Sequence, residues 1–208
     1  MQISLEHLSK KYNREWIFKD VNYQFHQGES YAITGANGSG KSTLIKIISG
    51  AIPANSGKIG YLFQGSEIEN EDIYRYICMA TPYMELVEEY TLTEMINFHF
   101  KFKTLRSDFS ENDIIDTLYL NKSKNKYIKH FSSGMKQRLK LGLTFFSEEP
   151  IILLDEPTTN LDSKGIDWYL NYIDQIKGNK LLIIASNQEY EYDFCNQYLE
   201  MENLSNPG

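Results

Sequence analysis

A glycine-rich run near the start of the chain reads Gly35-Ala36-Asn37-Gly38-Ser39-Gly40-Lys41-Ser42. It fits the pattern G-x-x-x-x-G-K-[ST] at every fixed position. The apolar residues 31–34 before it are typical of a buried strand, and residues 42–48 after it carry apolar side chains at helical spacing. A strand, a glycine loop and a helix in this order predict a cradle for phosphate groups. Glycines let backbone N–H groups converge on phosphate oxygens, and the helix N-terminus adds its positive dipole end.

The residue types in this cradle predict a nucleoside triphosphate with its magnesium ion. Lys41 supplies a positive charge for the β- and γ-phosphates, and the Ser42 hydroxyl is a ligand for Mg²⁺, with Thr43 behind it. A glycine-rich turn that fits by chance is the alternative, and the acidic strand end described next argues against it. The predicted ATP-binding residues of the loop are Gly35, Ala36, Asn37, Gly38, Ser39, Gly40, Lys41, Ser42 and Thr43.

Two adjacent carboxylates follow a second buried strand. Residues 151–154 are Ile-Ile-Leu-Leu, and Asp155 and Glu156 come directly after them. A carboxylate there lies at the carboxyl edge of a parallel sheet, where ligands bind in open α/β folds. We therefore expect Asp155 to hold Mg²⁺ and Glu156 to orient or deprotonate the attacking water. A helix cap or a loop acid is the alternative for Glu156.

The composition limits the other functions that the chain could have. It has 208 residues, 41% hydrophobic, with 21 basic against 28 acidic residues. The net charge of −7 disfavours a nucleic-acid binder that relies on a broad basic face, so no nucleic acid is expected as a partner. No apolar run approaches the roughly 20 residues that span a bilayer. Cys78 and Cys195 form no C-x-x-C pair, so two thiols in a reducing cytosol are expected.

The alternation of strands and helices predicts an α/β fold with a mainly parallel sheet, a P-loop NTPase core. We predict one domain over 1–208, in which 1–81 and 139–208 form a nucleotide-binding core with an antiparallel β subdomain. Residues 82–138 are predicted to form an inserted helical subdomain. The predicted strands lie at 3–6, 21–25, 31–34, 58–63, 74–79, 151–154 and 181–185, and the predicted helices at 42–48, 93–101, 111–120, 133–146 and 164–176.

Three further stretches carry a resemblance to a known family. Phe131-Ser132-Ser133-Gly134-Met135-Lys136-Gln137-Arg138 resembles the signature L-S-G-G-Q-x-Q-R, and Pro157-Thr158-Thr159-Asn160-Leu161-Asp162 resembles a D-loop. Tyr12 occupies an aromatic position that stacks on adenine in that family. The chain resembles, nearly end to end, the ATP-binding subunit of an ATP-binding cassette (ABC) transporter of the short single-cassette type.

This resemblance implies a mechanism. Two subunits, as a homodimer or a heterodimer, close head to tail over two ATP molecules. The signature residues Ser132, Ser133, Gly134 and Met135 then reach the nucleotide of the partner subunit, and the D-loop residues Asn160, Leu161 and Asp162 lie at the same interface. The cycle powers transport through a permease carried on a separate chain. The subunit is then cytoplasmic and peripheral on the inner face of the cell membrane.

Two residues that the resemblance leads us to expect are missing, and within the signature Ser133 replaces a glycine and Met135 replaces a glutamine. The glutamine that touches the metal falls at Thr81 or Pro82, and Gln64 is rejected as its substitute because it lies in a predicted hairpin. The histidine after the last strand is Asn187, which can donate a hydrogen bond to the γ-phosphate but carries no charge. We therefore predict normal nucleotide binding and slow ATP hydrolysis, with Glu156, Lys41 and Asn187 as catalytic residues. The alternative is an ATP-dependent regulatory or soluble cassette protein with weak hydrolysis.

An aromatic and acidic stretch at residues 83–90 matches the area that receives a short helix of the membrane subunit in this family. We expect one or two basic residues on that partner helix. A solvated acidic turn is the alternative.

Overall fold

The computed structural model describes residues 1–205, which group into two compact units. The first unit comprises residues 1–77, 150–156 and the chain from 177 onward, and the second comprises 78–149 and 157–176. In the described residues the strands are β1 (Gln2–Tyr12), β2 (Glu15–His26), β3 (Ser30–Thr34), β4 (Ser56–Phe63), β5 (Ser66–Ile68), β6 (Ile77–Ala80), β7 (Ile151–Asp155), β8 (Leu181–Ala185) and β9 (Gln197–Glu200). The helices are α1 (Lys41–Ile48), α2 (Leu92–His99), α3 (Glu111–Thr117), α4 (Ser133–Phe145), α5 (Ser163–Ile176) and α6 (Met201–Ser205).

The first unit contains an antiparallel sheet and a parallel sheet. The antiparallel strands lie in the order β2-β1-β4-β5, with Ile3 opposite both Phe25 and Tyr61. The parallel strands β7-β8-β3-β9 lie in that order. Every residue of β7 and β8 is buried, as expected for a parallel sheet that is covered on both faces. The predicted α/β class with both kinds of sheet is confirmed.

The parallel order brings four loops to one edge of the sheet. Parallel strands share a direction, so the segments after β3, β7, β8 and β9 all leave at the carboxyl edge. These segments are the glycine loop, the acidic pair, the segment at Ser186 and Asn187, and helix α6. The fold therefore collects its chemistry-bearing side chains at this edge.

The second unit is mainly helical, and short polar signals fix where its helices start. Thr91 and Glu94 form a capping box at α2, and Ser110 and Asp113 form another at α3. At α4 the Ser132 side chain accepts a hydrogen bond from the N–H of Met135. Helices α4 and α5 pack together through an aromatic cluster of Phe145, Phe146, Trp168, Tyr169 and Tyr172.

Several predicted elements differ from the observed ones. The strand predicted at 74–79 is wrong in its first half, where a 3₁₀ turn (Ile73–Arg75) precedes β6. The turn leaves Tyr74 exposed and puts the ring of Tyr76 against Phe63, so these two residues do not share one sheet face as they would in a strand. β1 and β2 are longer than predicted, α2 and α3 are shorter, and β9 and α6 were not predicted. The division into a core and an insertion at 82–138 stays a prediction.

Candidate functional site

The glycine loop joins β3 to α1 with three glycines in the left-handed region of backbone space. Gly35, Gly38 and Gly40 have φ values of 141°, 84° and 105°. A Cβ at Gly40 would lie 2.1 Å from Cγ2 of Ile17, so a larger residue is excluded there. At Gly38 no other part of the chain within residues 1–205 lies within 4 Å of the Cβ position. The loop is therefore packed at its helix end and open in its middle, where a ligand can approach the backbone.

Lys41 is buried inside the loop, and three acceptors surround its ammonium group. Nζ donates to the carbonyl oxygens of Gly35 at 2.8 Å and Ala36 at 3.2 Å, and to Oδ1 of Asn187 at 2.7 Å. The amide nitrogen of Asn187 in turn donates to Oδ1 of Asn37. An ammonium group has three protons to donate, so a phosphate oxygen must displace one of these partners.

Asp155 is a carboxylate that lies buried near the Ser42 hydroxyl. It is 1% exposed, and among the residues that the structure describes no group bonds either oxygen. Burial raises the pKa of Asp155, while the nearby Ser42 hydroxyl lowers it without reaching standard hydrogen-bond geometry. An orphaned carboxylate beside a hydroxyl offers the hard oxygen ligands that Mg²⁺ prefers. The arrangement therefore fits a divalent cation.

Glu156 has an unusual backbone. Its φ is 44°, in the left-handed region that residues with a Cβ avoid, and its N–H donates to the carbonyl of Ala185 at 2.8 Å. Such a conformation costs on the order of 1 kcal/mol or more and clusters at functional sites. No sequence pattern predicts this strain, because a strand followed by two acidic residues is compatible with ordinary backbone angles.

A buried carboxylate supports the segment after β8. Ser186 is buried and donates to the carboxylate of Glu191, and the N–H of Gln188 donates back to Ser186 Oγ at 2.9 Å. Glu191 is only 1% exposed. These bonds fix the backbone on both sides of Asn187. Sequence reasoning missed Glu191, since residues 187–193 read as a polar surface loop.

Tyr12 lies at the end of β1, at the tip of the β1–β2 hairpin, where it pairs with Glu15. Its ring is 49% exposed, and Nζ of Lys10 lies 5.1 Å from the ring centre. One aromatic face is thus accessible to a planar ligand.

The signature and the D-loop meet in the second unit, where they line one open cavity of about 410 Å³. A Cβ at Gly134 would lie 2.9 Å from the carbonyl oxygen of Asn160, so the D-loop backbone needs a glycine opposite it. Asn160 itself has a φ of 67°. The residues that line the cavity are Ser132, Ser133, Gly134, Met135, Arg138, Asn160, Leu161 and Asp162.

Asp162 holds this arrangement together. Its Oδ1 accepts hydrogen bonds from Nη2 of Arg138 at 2.7 Å and from the N–H of Gly165 at 2.9 Å. These bonds to Gly165 and Arg138 lower the pKa of Asp162. Gln137 adds a bond from Nε2 to the carbonyl of Pro157 at 2.7 Å. The D-loop is therefore attached to α4 through two side chains.

A family model described as "ABC transporter" matches residues 18–159. The chain belongs to the ABC transporter family. The match includes the glycine loop, the signature and the acidic strand end, and it stops within the D-loop. The chain is an ATP-binding subunit of this family, and the predicted ATPase class is confirmed with it.

Two curated relatives cover most of this ABC cassette. The Bacillus subtilis (strain 168) protein "Uncharacterized ABC transporter ATP-binding protein YybJ" is 30% identical over 205 residues, which is 96% of this chain and 92% of the relative. The Streptococcus pyogenes "Lantibiotic transport ATP-binding protein SrtF" is 30% identical over 190 residues, which is 89% of this chain and 79% of the relative.

Solved structures show the same cassette fold. One titled "Structure of ATP binding subunit of ABC transporter" has a TM-score of 0.84 at 25% identity, and covers 96% of this chain and 85% of its own. A dimeric structure titled as a post-hydrolysis state of the ATP-binding cassette MJ0796, bound to ADP and Pi, has a TM-score of 0.81 at 21% identity. It covers 95% of this chain and 93% of its own.

None of the described helices of this ABC cassette combines the length and the apolar character needed to cross a membrane.

The two departures from the ABC pattern have distinct surroundings. Thr81 is buried, and its carbonyl accepts a bond from Nζ of Lys140 at 3.3 Å. Gln64 lies exposed in the turn of the β4–β5 hairpin with a φ of 51°, so the hairpin predicted there is confirmed. Asn187 lies within reach of the loop lysine, as described above.

Proposed function

We propose that this chain hydrolyses Mg-ATP at a composite site made by two cassettes, and that hydrolysis drives a separate membrane permease. The observation that carries the proposal is the presence of two half-sites in one chain. The first unit holds the glycine loop with Asp155 and Glu156, and the second holds the cavity between signature and D-loop. A head-to-tail pair would complete both. The dimeric state named for the MJ0796 structure supports this arrangement.

In the first half-site the loop binds the phosphates and Tyr12 stacks on the adenine. Lys41 gives up one of its three acceptors and donates to the β- and γ-phosphate oxygens instead. Backbone N–H groups of the open loop bind the other phosphate oxygens. Ser42 and Asp155 would hold Mg²⁺, which would supply positive charge against the phosphates. The residues assigned to ATP are Tyr12, Gly35, Ala36, Asn37, Gly38, Ser39, Gly40, Lys41, Ser42 and Thr43.

Glu156 and Asn187 act on the γ-phosphate side. The Glu156 carboxylate orients and deprotonates the attacking water, and its anchored backbone keeps it at the sheet edge. The Asn187 amide donates a hydrogen bond to the γ-phosphate after it leaves Lys41 and Asn37. Because the amide carries no charge, it stabilises the transition state less than a charged group would.

The second half-site covers the nucleotide that is bound by the partner subunit. Ser132 and Gly134, at the start of α4, bind the γ-phosphate through a hydroxyl, backbone N–H groups and the helix dipole. Ser133 and Met135 line the same cavity. The D-loop residues Asn160, Leu161 and Asp162 form the rest of the interface, with Asp162 acting mainly as the cap that fixes α5.

The permease contact is proposed at an open groove of about 740 Å³ in the second unit. Acidic residues line it, and Lys136 already pairs with Glu88. Nζ of Lys140 lies against the carbonyls of Thr81 and Pro82. A basic residue on a membrane-subunit helix would therefore meet Glu89 or Glu85 rather than Glu88. Such docking places the chain on the inner face of the cell membrane.

A second candidate function is an ATP-dependent regulatory cassette with weak hydrolysis. The observation that favours it is Asn187, whose two hydrogen bonds hold Lys41 and Asn37 in the loop. Such a protein would bind ATP and pair without rapid turnover. Single-turnover hydrolysis by the wild-type chain with its membrane partner separates the two functions.

The composite site is tested with the Glu156→Gln variant, which should bind Mg-ATP but not cleave it. Light scattering on a sizing column should show the mass double when Mg-ATP is added. The control is Glu156→Gln combined with Lys41→Ala, which should stay monomeric under the same conditions. A Glu156→Gln protein that stays monomeric at saturating Mg-ATP would count against a paired site in this chain.

A further inference from the structure

Glu202, the second residue of α6, contacts the phosphate-binding loop although no motif includes it. The N–H of Ala36 donates to its Oε1 at 2.9 Å. A Cβ built on Gly35 would lie 2.9 and 3.1 Å from the two carboxylate oxygens. The first glycine of the loop therefore leaves the space that this carboxylate fills.

The contact follows from the register of the sheet. β3 and β9 are parallel neighbours, and Thr34 is paired with Glu200. Ala36 and Glu202 each lie two residues beyond that pair, so the two segments leave the sheet side by side. Met201 is buried beside them, and its Cε lies 3.3 Å from the Cβ position of Gly40. The start of α6 therefore contacts both ends of the loop.

The Ala36 residue links this carboxylate to the catalytic lysine. Its N–H binds Glu202, and its carbonyl accepts bonds from the N–H of Ser39 at 3.1 Å and from Nζ of Lys41 at 3.2 Å. Both peptide groups of Ala36 are thus held in place. A rotation here would tilt the N–H groups that follow in the loop.

We infer that Glu202 is a positioning residue that holds the phosphate loop in its binding conformation through the N–H of Ala36. The inference rests on the proposed function, because it assumes that this loop binds the ATP phosphates. A hydrogen bond to a carboxylate is stronger than one between neutral groups, and this one is directional.

The negative charge of Glu202 acts against nucleotide binding, whereas its hydrogen bond to Ala36 supports it. The test must separate these two effects. The Ala36 N–H lowers the pKa of Glu202, so the carboxylate is ionised at neutral pH. An ionised carboxylate near the loop repels a triphosphate. Glu202 is exposed, however, and solvent screens this repulsion, whereas the hydrogen bond to Ala36 acts at short range.

The test compares the Mg-ATP and Mg-ADP dissociation constants of three variants with those of the wild type by calorimetry. Glu202→Ala removes the acceptor and should weaken the binding of both nucleotides by about tenfold. Glu202→Gln keeps an acceptor without the charge and should stay within about twofold of the wild type. The matched control is Glu200→Ala, whose carboxylate bonds Asn203 instead of the loop and which should bind normally.

The outcomes distinguish this inference from the proposed function. A wild-type chain that does not bind Mg-ATP would contradict the proposed function itself. A wild type that binds while Glu202→Ala binds equally well would overturn the inference. Tighter binding by both Glu202→Ala and Glu202→Gln would also overturn it, because repulsion would then dominate. Glu202→Asp, which retracts the carboxylate, should weaken binding as Glu202→Ala does and serves if the alanine variant does not fold.

Discussion

The ammonium group of Lys41 donates a 2.7 Å hydrogen bond to the side-chain oxygen of Asn187. In the family pattern a histidine stands at position 187. The bond joins the loop after β3 to the segment after β8, two neighbouring parallel strands. Under the proposed function Asn187 exchanges this lysine contact for a phosphate contact, so Asn187 is the first target for mutation.

Asn187→His should accelerate ATP turnover in the assembled transporter by about a hundredfold, because a group that can carry charge would replace the neutral amide at the γ-phosphate, where an effective donor is worth on the order of 3 kcal/mol. The affinity for Mg-ATP should change little, since the loop is unaltered. Turnover is measured by phosphate release with the membrane partner present. Asn187→Ala is the control and should fall below the wild type. Equal rates for Asn187→His and the wild type would contradict the prediction.

Asp155→Asn should separate stability from function. Replacing a buried, unpartnered carboxylate with a neutral amide relieves a desolvation cost on the order of 1–3 kcal/mol, so the nucleotide-free variant should melt at a higher temperature. The stabilisation by Mg-ATP should disappear, because the carboxylate ligand is lost. Thermal unfolding with ATP, with and without Mg²⁺, measures both effects. A variant that melts lower without ligand would show that Asp155 has a partner in solution.

Acid should destabilise the second unit through His99. Burial lowers the pKa of His99 to about 4, Glu149 opposes this shift and Lys103 adds to it. The unfolded chain, with a pKa near 6.5, then binds more protons than the folded chain. Stability should therefore fall as the pH drops from about 6.5 to about 4, by about 3 kcal/mol in all.

The measurement is the unfolding free energy of the wild type and of His99→Gln between pH 7 and pH 4.5. The ring of His99 bonds Ser147 Oγ at 3.1 Å, so the variant starts from lower stability at pH 7. Its disadvantage should shrink as the pH falls, because it has no group to protonate at this position. Parallel pH curves for the two proteins would rule out the assigned role of His99.

Gly134→Ala should weaken pairing without weakening nucleotide binding. Its Cβ would lie 2.9 Å from the Asn160 carbonyl, so the D-loop must shift. We expect the ATP-dependent dimer of the Glu156→Gln background to weaken by at least tenfold, a cost above about 1.4 kcal/mol. Ser133→Ala is the control, because position 133 already carries a side chain where the family signature has a glycine. Light scattering and calorimetry report pairing and binding separately.

The strongest local signals predicted the fold and much of the geometry. The loop pattern and the acidic strand end are short motifs whose meaning depends on neighbours in sequence. The strand–loop–helix order at Lys41 is observed. The roles of the site residues remain predictions.

Features that depend on distant parts of the chain were missed. β9 has a single buried residue, Leu199, so its pattern shows no alternation, and its place beside β3 is set by sheet order. The contact of Glu202 with the phosphate-binding loop follows from that register. Shifts in the pairing of β1 with β2, such as the one between Leu5 and Leu8, break the period of two that identifies a long strand.

The left-handed backbone of Glu156 has a consequence for engineering. A glycine or an asparagine adopts a φ of 44° more easily than a glutamate does, so either replacement should raise the melting temperature. A selection for heat-resistant variants would therefore favour substitutions at position 156. It would recover stable proteins that lack the carboxylate proposed to activate water. Libraries built on this chain should keep that codon fixed.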